Sequence, residues 1–139
     1  SAPFGIAGIA AAASGALVAN LVRNVWSFSV IFCGHFPDDV QLFTEEEVRG
    51  ESRGGWYRRQ ILGSANFEGG PIMNLLSGNL DHQIEHHLFP DLPSSRYAEI
   101  APQVQDVCER HGLHYNTGSM VQQFGSVMRK VLRFSLPFT

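Results

Sequence analysis

Residues 80–90 read LDHQIEHHLFP, and three of the chain's six histidines, His82, His86 and His87, fall within six positions of that run. Imidazole ligates iron, zinc, copper and nickel alike, so the residue type points to metal chemistry without naming the metal. On a helix each residue turns about 100°, which puts Gln83, His86 and His87 on one face through i, i+3 and i+4 spacing. His82 and His86 form a further i, i+4 pair. One short helix therefore offers two or three imidazoles and an amide oxygen to a common space, and His86 and His87 could each serve a different metal of a pair. Glu85 projects roughly 200° from Gln83 on the same geometry and is better suited to orient a ligand than to be one. The plain alternative is a solvated helix with incidental histidines, and the clustering argues against it.

His35 ends a long apolar stretch, where an unpaired imidazole would be costly to desolvate. It is either a helix-terminal histidine satisfied by its neighbours or a further ligand. His111 and His114, in RHGLHYN, follow a glycine-terminated segment and read as exposed. Cys33 and Cys108 stand far apart with no CxxC spacing, which argues against a cysteine zinc site or a disulfide framework and favours reduced thiols. A net charge of -3 argues against nucleic acid as a partner.

The elements that must carry these residues are helical. From Pro3 to Phe36 the one charged residue is Arg23. Phe4 to Val22 are nineteen uncharged, mostly apolar positions, about 28 Å as a helix and so close to the hydrocarbon thickness of a bilayer. This predicts a transmembrane helix, with a buried Ala/Gly-rich core helix as the alternative. Gly8, Ala12 and Ala16, at i, i+4 and i+8, allow another helix close approach. Arg23 fits the membrane interface, and NVWSFSVIFCGHF carries the helix on into protein. Arg49, Arg53, Arg58 and Arg59 follow on that side, which the positive-inside bias makes cytoplasmic.

Residues 37–55 read as a loop in which Thr44 and Glu47 have the spacing of a capping box. WYRRQIL suits a headgroup interface or a surface helix. PIMNLLSGNLDHQIEHHLF reads as helix from its proline, with Gly78 as a weak point and Pro90 and Pro93 as stops. SSRYAEIAPQVQDVCERHG reads as a helix broken or kinked at Pro102 and ended by Gly112. From Ser119 to Phe134, one face carries Met120, Val121, Phe124, Val127, Met128, Val131 and Leu132, with Arg129, Lys130 and Arg133 on or beside the other. Such a basic amphipathic helix can lie on an anionic membrane or pack on its own protein. The expectation is an all-α chain, with residues 1–36 a transmembrane helix and its cytosolic extension, and residues 37–139 a cytosolic helical cap.

GNLDHQIEHHLFPDLPSSRYAEIAPQV resembles the third histidine box and following segment of membrane-bound fatty acyl desaturases, in the branch with QxxHH in place of HxxHH. ANLVRNVWSFSVIFCGHFPDD is similar to the last transmembrane helix of that family with its cytosolic extension, and WYRRQILGSANF to the segment leading to the box. The pattern is nearest to bacterial acyl-CoA desaturases of the stearoyl/linoleoyl-CoA type. The resemblance implies an integral-membrane helical desaturase fold and a non-haem di-iron oxygenase that uses O₂ to insert a cis double bond into a long-chain acyl-CoA. Removing hydrogen from an unactivated CH₂ group demands an oxidant stronger than any side chain, hence iron and O₂. It also implies electrons from an NAD(P)H-linked reductase through a ferredoxin or cytochrome b5 carrier, and a site on the cytoplasmic side of a lipid bilayer.

Carried over by position, Gln83, His86 and His87 are the third-box residues and His35 matches the additional histidine after the last membrane helix. Asn66, in SANF, matches an asparagine often found near the site, and His82 stands where the branch more often has an aromatic residue. Boxes of HxxxxH and HxxHH type have no counterpart in residues 1–79. The chain therefore reads as the C-terminal part of a longer desaturase, holding about half of the iron ligands and inactive by itself. The rival readings are a related di-iron lipid or carotenoid hydroxylase and a non-catalytic membrane-associated metal-binding fragment.

Overall fold

The computed structural model describes residues 5–137, so Phe4, where the expected span begins, lies outside the described residues. Helix α1 runs from Ile6 to His35, 30 residues, or about 45 Å. Arg23 is its one charge, and the guanidinium bonds Asn20 Oδ1 at 2.7 Å while Asn20 Nδ2 donates to Ala16 O at 2.8 Å, so the polar groups are answered within the helix. The first two-thirds of α1 is exposed, with Leu17 71% and Val22 63% accessible, and burial begins only near Ser29, Val30, Cys33 and Gly34. An apolar surface of that extent needs a non-aqueous neighbour. Among the described residues this is the one helix long and apolar enough to cross a membrane.

The rest of the chain folds around the last turns of α1. A single turn, α2 (Glu45–Val48), carries the expected capping box between Thr44 and Glu47. Helix α3 (Arg53–Leu62) is capped by Ser52, and Arg53 lies over the rings of Trp56 and Tyr57. Strand β1 (Asn66–Glu68) leads into α4 (Gly70–Ser77) and then α5 (Gln83–Leu88). A 3-10 turn at Ser94–Arg96 opens α6 (Tyr97–Arg110), and β2 (Thr117–Ser119) precedes α7 (Met120–Ser135), whose N-terminus has a Ser119–Gln122 capping box. The chain is predominantly helical, as expected. The addition is a parallel ladder of three residues per strand, Asn66 against Thr117 through Glu68 against Ser119, too short to leave an alternating pattern in the sequence.

Two expectations are corrected. Residues 71–89 do not form one helix, because Gly78 and Asn79 both adopt left-handed conformations (φ 67° and 62°), ending α4 and turning the chain. His82 thereby becomes the residue that precedes α5, which removes it from an i, i+4 face with His86. Helix α6 runs unbroken through Pro102, 14 residues in all. Pro102 and Ala98 both lie on the exposed side, where the carbonyl left without an N–H donor meets solvent. Helix α7 buries Gln123, Ser126 and Val127, half-buries Met120 and Phe124 of the apolar stripe, and leaves Val121 and Leu132 exposed. Hydrogen bonds hold the buried side. Gln123 Nε2 donates to Asn66 O (3.1 Å) and Asn116 Oδ1 (3.2 Å), Asp38 N donates to Ser126 Oγ (3.1 Å), and Arg129 pairs with Asp38 at 2.9 Å.

Two apolar clusters position the histidine helix. Ile61, Ile84, Leu88, Val104 and Cys108 join α3, α5 and α6. Val30, Cys33 and Phe67 join α1 to β1, with Trp26, Met73, Leu80, Met120 and Phe124 packed against them. Ile84 and Leu88 lie one turn apart on α5, each fully buried side chain contributing about 1.5–3 kcal/mol. Their burial sets the rotation of α5 and hence the direction of its polar side.

Candidate metal centre

His35 is the last residue of α1, and α5 lies against the turn that precedes it. Gly34 permits the approach, since a Cβ there would stand 2.9 Å from Gln83 Cγ. The Gly34 carbonyl accepts from Ala65 N at 2.8 Å, tying the segment before β1 to the same turn. Gln83 Nε2 then lies 3.3 Å from His35 Nε2. The rings of His35 and His87 are 5.1 Å apart between centroids, and those of His86 and His87 5.9 Å. The fold thus brings together His35, Gln83, His86 and His87, residues separated by up to 52 positions in sequence (87 minus 35).

The rings are held from behind. His87 Nδ1 is 3.0 Å from Gln60 Oε1, and His86 Nδ1 is 3.1 Å from the hydroxyl of Tyr97, itself 2% exposed. The Nε2 atoms of both rings make no hydrogen bond among the described residues. Burial, reinforced by the neighbouring rings of His35 and His86, pushes the His87 pKa down to about 4. Burial and then His86 lower that of His35. Both imidazoles are therefore kept neutral near pH 7, the form that donates a lone pair to a metal.

Asn66 and Glu85 do a different job. No side chain of α5's own flank caps its N-terminus. Asn66 Oδ1 instead accepts from Ile84 N at 2.8 Å, so a residue from β1 supplies the cap. The same amide donates to Glu85 Oε2 at 2.8 Å and to the Tyr115 hydroxyl at 2.6 Å, and that hydroxyl donates to Glu85 Oε1 at 2.8 Å. Glu85 is wholly buried, and burial followed by the Glu85 charge raises the Tyr115 pKa. Asn66 is thus engaged with α5's backbone and its buried acid rather than directed at the histidines. His82 also faces elsewhere. Its Nδ1 is 3.2 Å from Asp81 Oδ2, and the interaction with that carboxylate lifts its pKa. With Asn66, Asp81 and Tyr115 it lines a polar cavity of about 310 Å³ that none of His35, Gln83, His86 and His87 reaches.

Among the described residues, no three His, Cys, Asp or Glu side chains converge closely enough to hold an ion by themselves. The four grouped side chains are a partial donor set. Beside them an apolar groove of about 520 Å³ adjoins His35, walled by Phe32, Phe36, Val127, Val131 and Phe134. Gln60 and Tyr97 carry no sequence signal that marks them as partners of this cluster, nor Tyr115 as a partner of Asn66 and Glu85. They are polar residues on flanking elements, recruited by packing.

The fatty acid desaturase family matches residues 2–119 of the chain. Over 121 residues the chain is 56% identical to an NADPH-dependent stearoyl-CoA 9-desaturase of Mycobacterium tuberculosis, covering 87% of this chain and 28% of that protein. It is 34% identical over 112 residues to fatty acid desaturase 3 of Homo sapiens (81% of this chain, 23% of the relative). Against an acyl-lipid 8-desaturase of Rebecca salina it is 29% identical over 103 residues (74% and 23%). No solved structure matches the chain. The chain spans about a quarter of the length of the relatives it matches. A matched segment that takes in the long apolar helix, His35 and the QxxHH helix together, with more than half its residues shared with one relative, places the chain in the fatty acid desaturase family.

Proposed function

We propose that this chain is the C-terminal part of an O₂-dependent acyl-CoA desaturase that introduces a cis double bond into a long-chain fatty acyl group. The observation that carries the reading is the meeting of His35, at the end of the long apolar helix, with Gln83, His86 and His87 on α5. The donor set fits iron: the imidazoles of His86 and His87 have Nδ1 tied to the protein and Nε2 without a hydrogen bond among the described residues, beside the ring of His35 and the amide of Gln83. His35, Gln83, His86 and His87 would hold part of a non-haem di-iron site whose remaining ligands come from another part of the protein. Such a pair, when bound, supplies the O₂ activation that breaking an unactivated C–H bond requires.

The chain's own residues keep the rings of His35 and His87 neutral and hold those of His86 and His87 by their Nδ1 atoms, and the groove beside His35 offers a hydrocarbon wall of the kind an acyl chain needs. Asn66 holds α5 in place, and His82 stays with Asp81; neither is assigned to the metal. The substrate is a long-chain acyl-CoA. Electrons come from NADPH through a reductase and a ferredoxin or cytochrome b5 carrier, a reading that the name of the mycobacterial relative supports for the NADPH. Of the described residues, Ile6 to Val22 form the membrane span, the rest of α1 to His35 its extension, and those that follow the cap. Arg49, Arg53, Arg58 and Arg59 favour the cytoplasmic side for that cap.

The test is iron content and acyl product of the full-length protein in membranes supplied with acyl-CoA, O₂ and reductant. Two irons per protein and a cis-alkene product are expected, both lost in His86→Ala and His87→Ala. Hydroxylated product would redirect the reading to a lipid hydroxylase, and an iron-free protein would refute it.

A further inference from the structure

The geometry points to Gln60 as a positioning residue that holds His87 in the tautomer leaving Nε2 open to a metal, an inference that rests on the metal-binding reading above. His87 occupies the middle of the ring cluster, between His35 and His86. A neutral imidazole has one N–H, and the hydrogen bond made by one ring nitrogen decides which of the two carries it. Gln60 Oε1, at 3.0 Å, is an acceptor only, so the proton sits on Nδ1 and the Nε2 lone pair is free. Turned the other way, the amide NH₂ would donate to Nδ1, move the proton to Nε2 and close the coordination position.

Packing enforces the contact. Gln60 lies on α3, 27 residues before His87, and its neighbour Ile61 is buried against Ile84 and Leu88 of α5. The Ser64 hydroxyl donates to the Gln60 carbonyl at 2.6 Å, securing the end of α3. The spacing between the amide and the ring is therefore set by two packed helices rather than by a free surface side chain. An acceptor on the remote nitrogen also makes the imidazole a stronger donor to a metal.

The experiment compares iron retention against a competing chelator in the full-length wild type, Gln60→Met and Gln60→Glu, alongside the melting temperature of each. Methionine keeps the length of the side chain and removes the acceptor, and apparent iron affinity should fall about 10–100-fold. Glutamate can only accept, and should restore affinity to within a few-fold of wild type. Wild-type affinity in Gln60→Met, or equal loss in both variants, overturns the inference. Loss of affinity that tracks a lowered melting temperature in both also overturns it, since the residue would then act through packing alone. A wild-type protein that binds no iron instead refutes the metal reading on which the inference stands.

Discussion

Asn66→Asp exchanges one NH₂ group for one oxygen and should undo the lock on α5. Oδ1 can still accept from Ile84 N, but the new oxygen takes the place of a donor that lies 2.8 Å from Glu85 Oε2. Two unit charges at that distance repel by about 6 kcal/mol at an effective dielectric of about 20. The variant has a cheaper route, which is to take up one proton across the carboxylate pair. At pH 7 that costs about 1.4 kcal/mol for each unit above an ordinary carboxylate value near 4, or roughly 4 kcal/mol. The folded variant then holds one proton more than its unfolded chain, so stability falls as pH rises, by about 1.4 kcal/mol per unit relative to wild type. For a chain of this size roughly 4 kcal/mol corresponds to a melting temperature about 8–16 °C lower at pH 7, with the gap narrowing toward pH 5. Circular dichroism melts of the detergent-solubilised protein from pH 5 to 8 measure both quantities. A variant that melts within about 2 °C of wild type at pH 7, with no added pH slope, would show that the Asn66–Glu85–Tyr115 network does not hold α5.

Gly34→Ala introduces a methyl group 2.9 Å from Gln83 Cγ and should push that side chain away from His35 while leaving α1 helical. Iron retention should drop with an unchanged helical signal, and full retention would show that Gln83 is not a ligand. Cys33 and Cys108 are fully buried, with burial the leading cause that raises both thiols and takes Cys33 to about 11. At pH 8 roughly one Cys33 thiol in a thousand is ionised. Maleimide should label neither cysteine in the folded protein and both in denaturant, as counted by mass spectrometry; rapid labelling of Cys33 in the folded state would contradict the packing of α1 on β1.

What the amino-acid sequence determined by itself is what local interactions govern. The long uncharged stretch before Arg23 specifies α1, the Thr44–Glu47 spacing specifies its capping box, and the clustered histidines name the chemistry because ligand type and helical spacing are properties of a few adjacent residues. Gly78 was legible as a weak point, yet the left-handed Asn79 beside it was needed to divide α4 from α5 and to turn His82 toward Asp81. The remaining decisions belong to residues distant in sequence. Asn66 caps α5 from another element, Gln60 reaches His87 from α3, and Gln123 of α7 is held by partners on β1 and the segment before β2. A periodic pattern reports which face is apolar, but a buried amide or carboxylate must find its own partner, and only the packed tertiary structure decides where that partner stands.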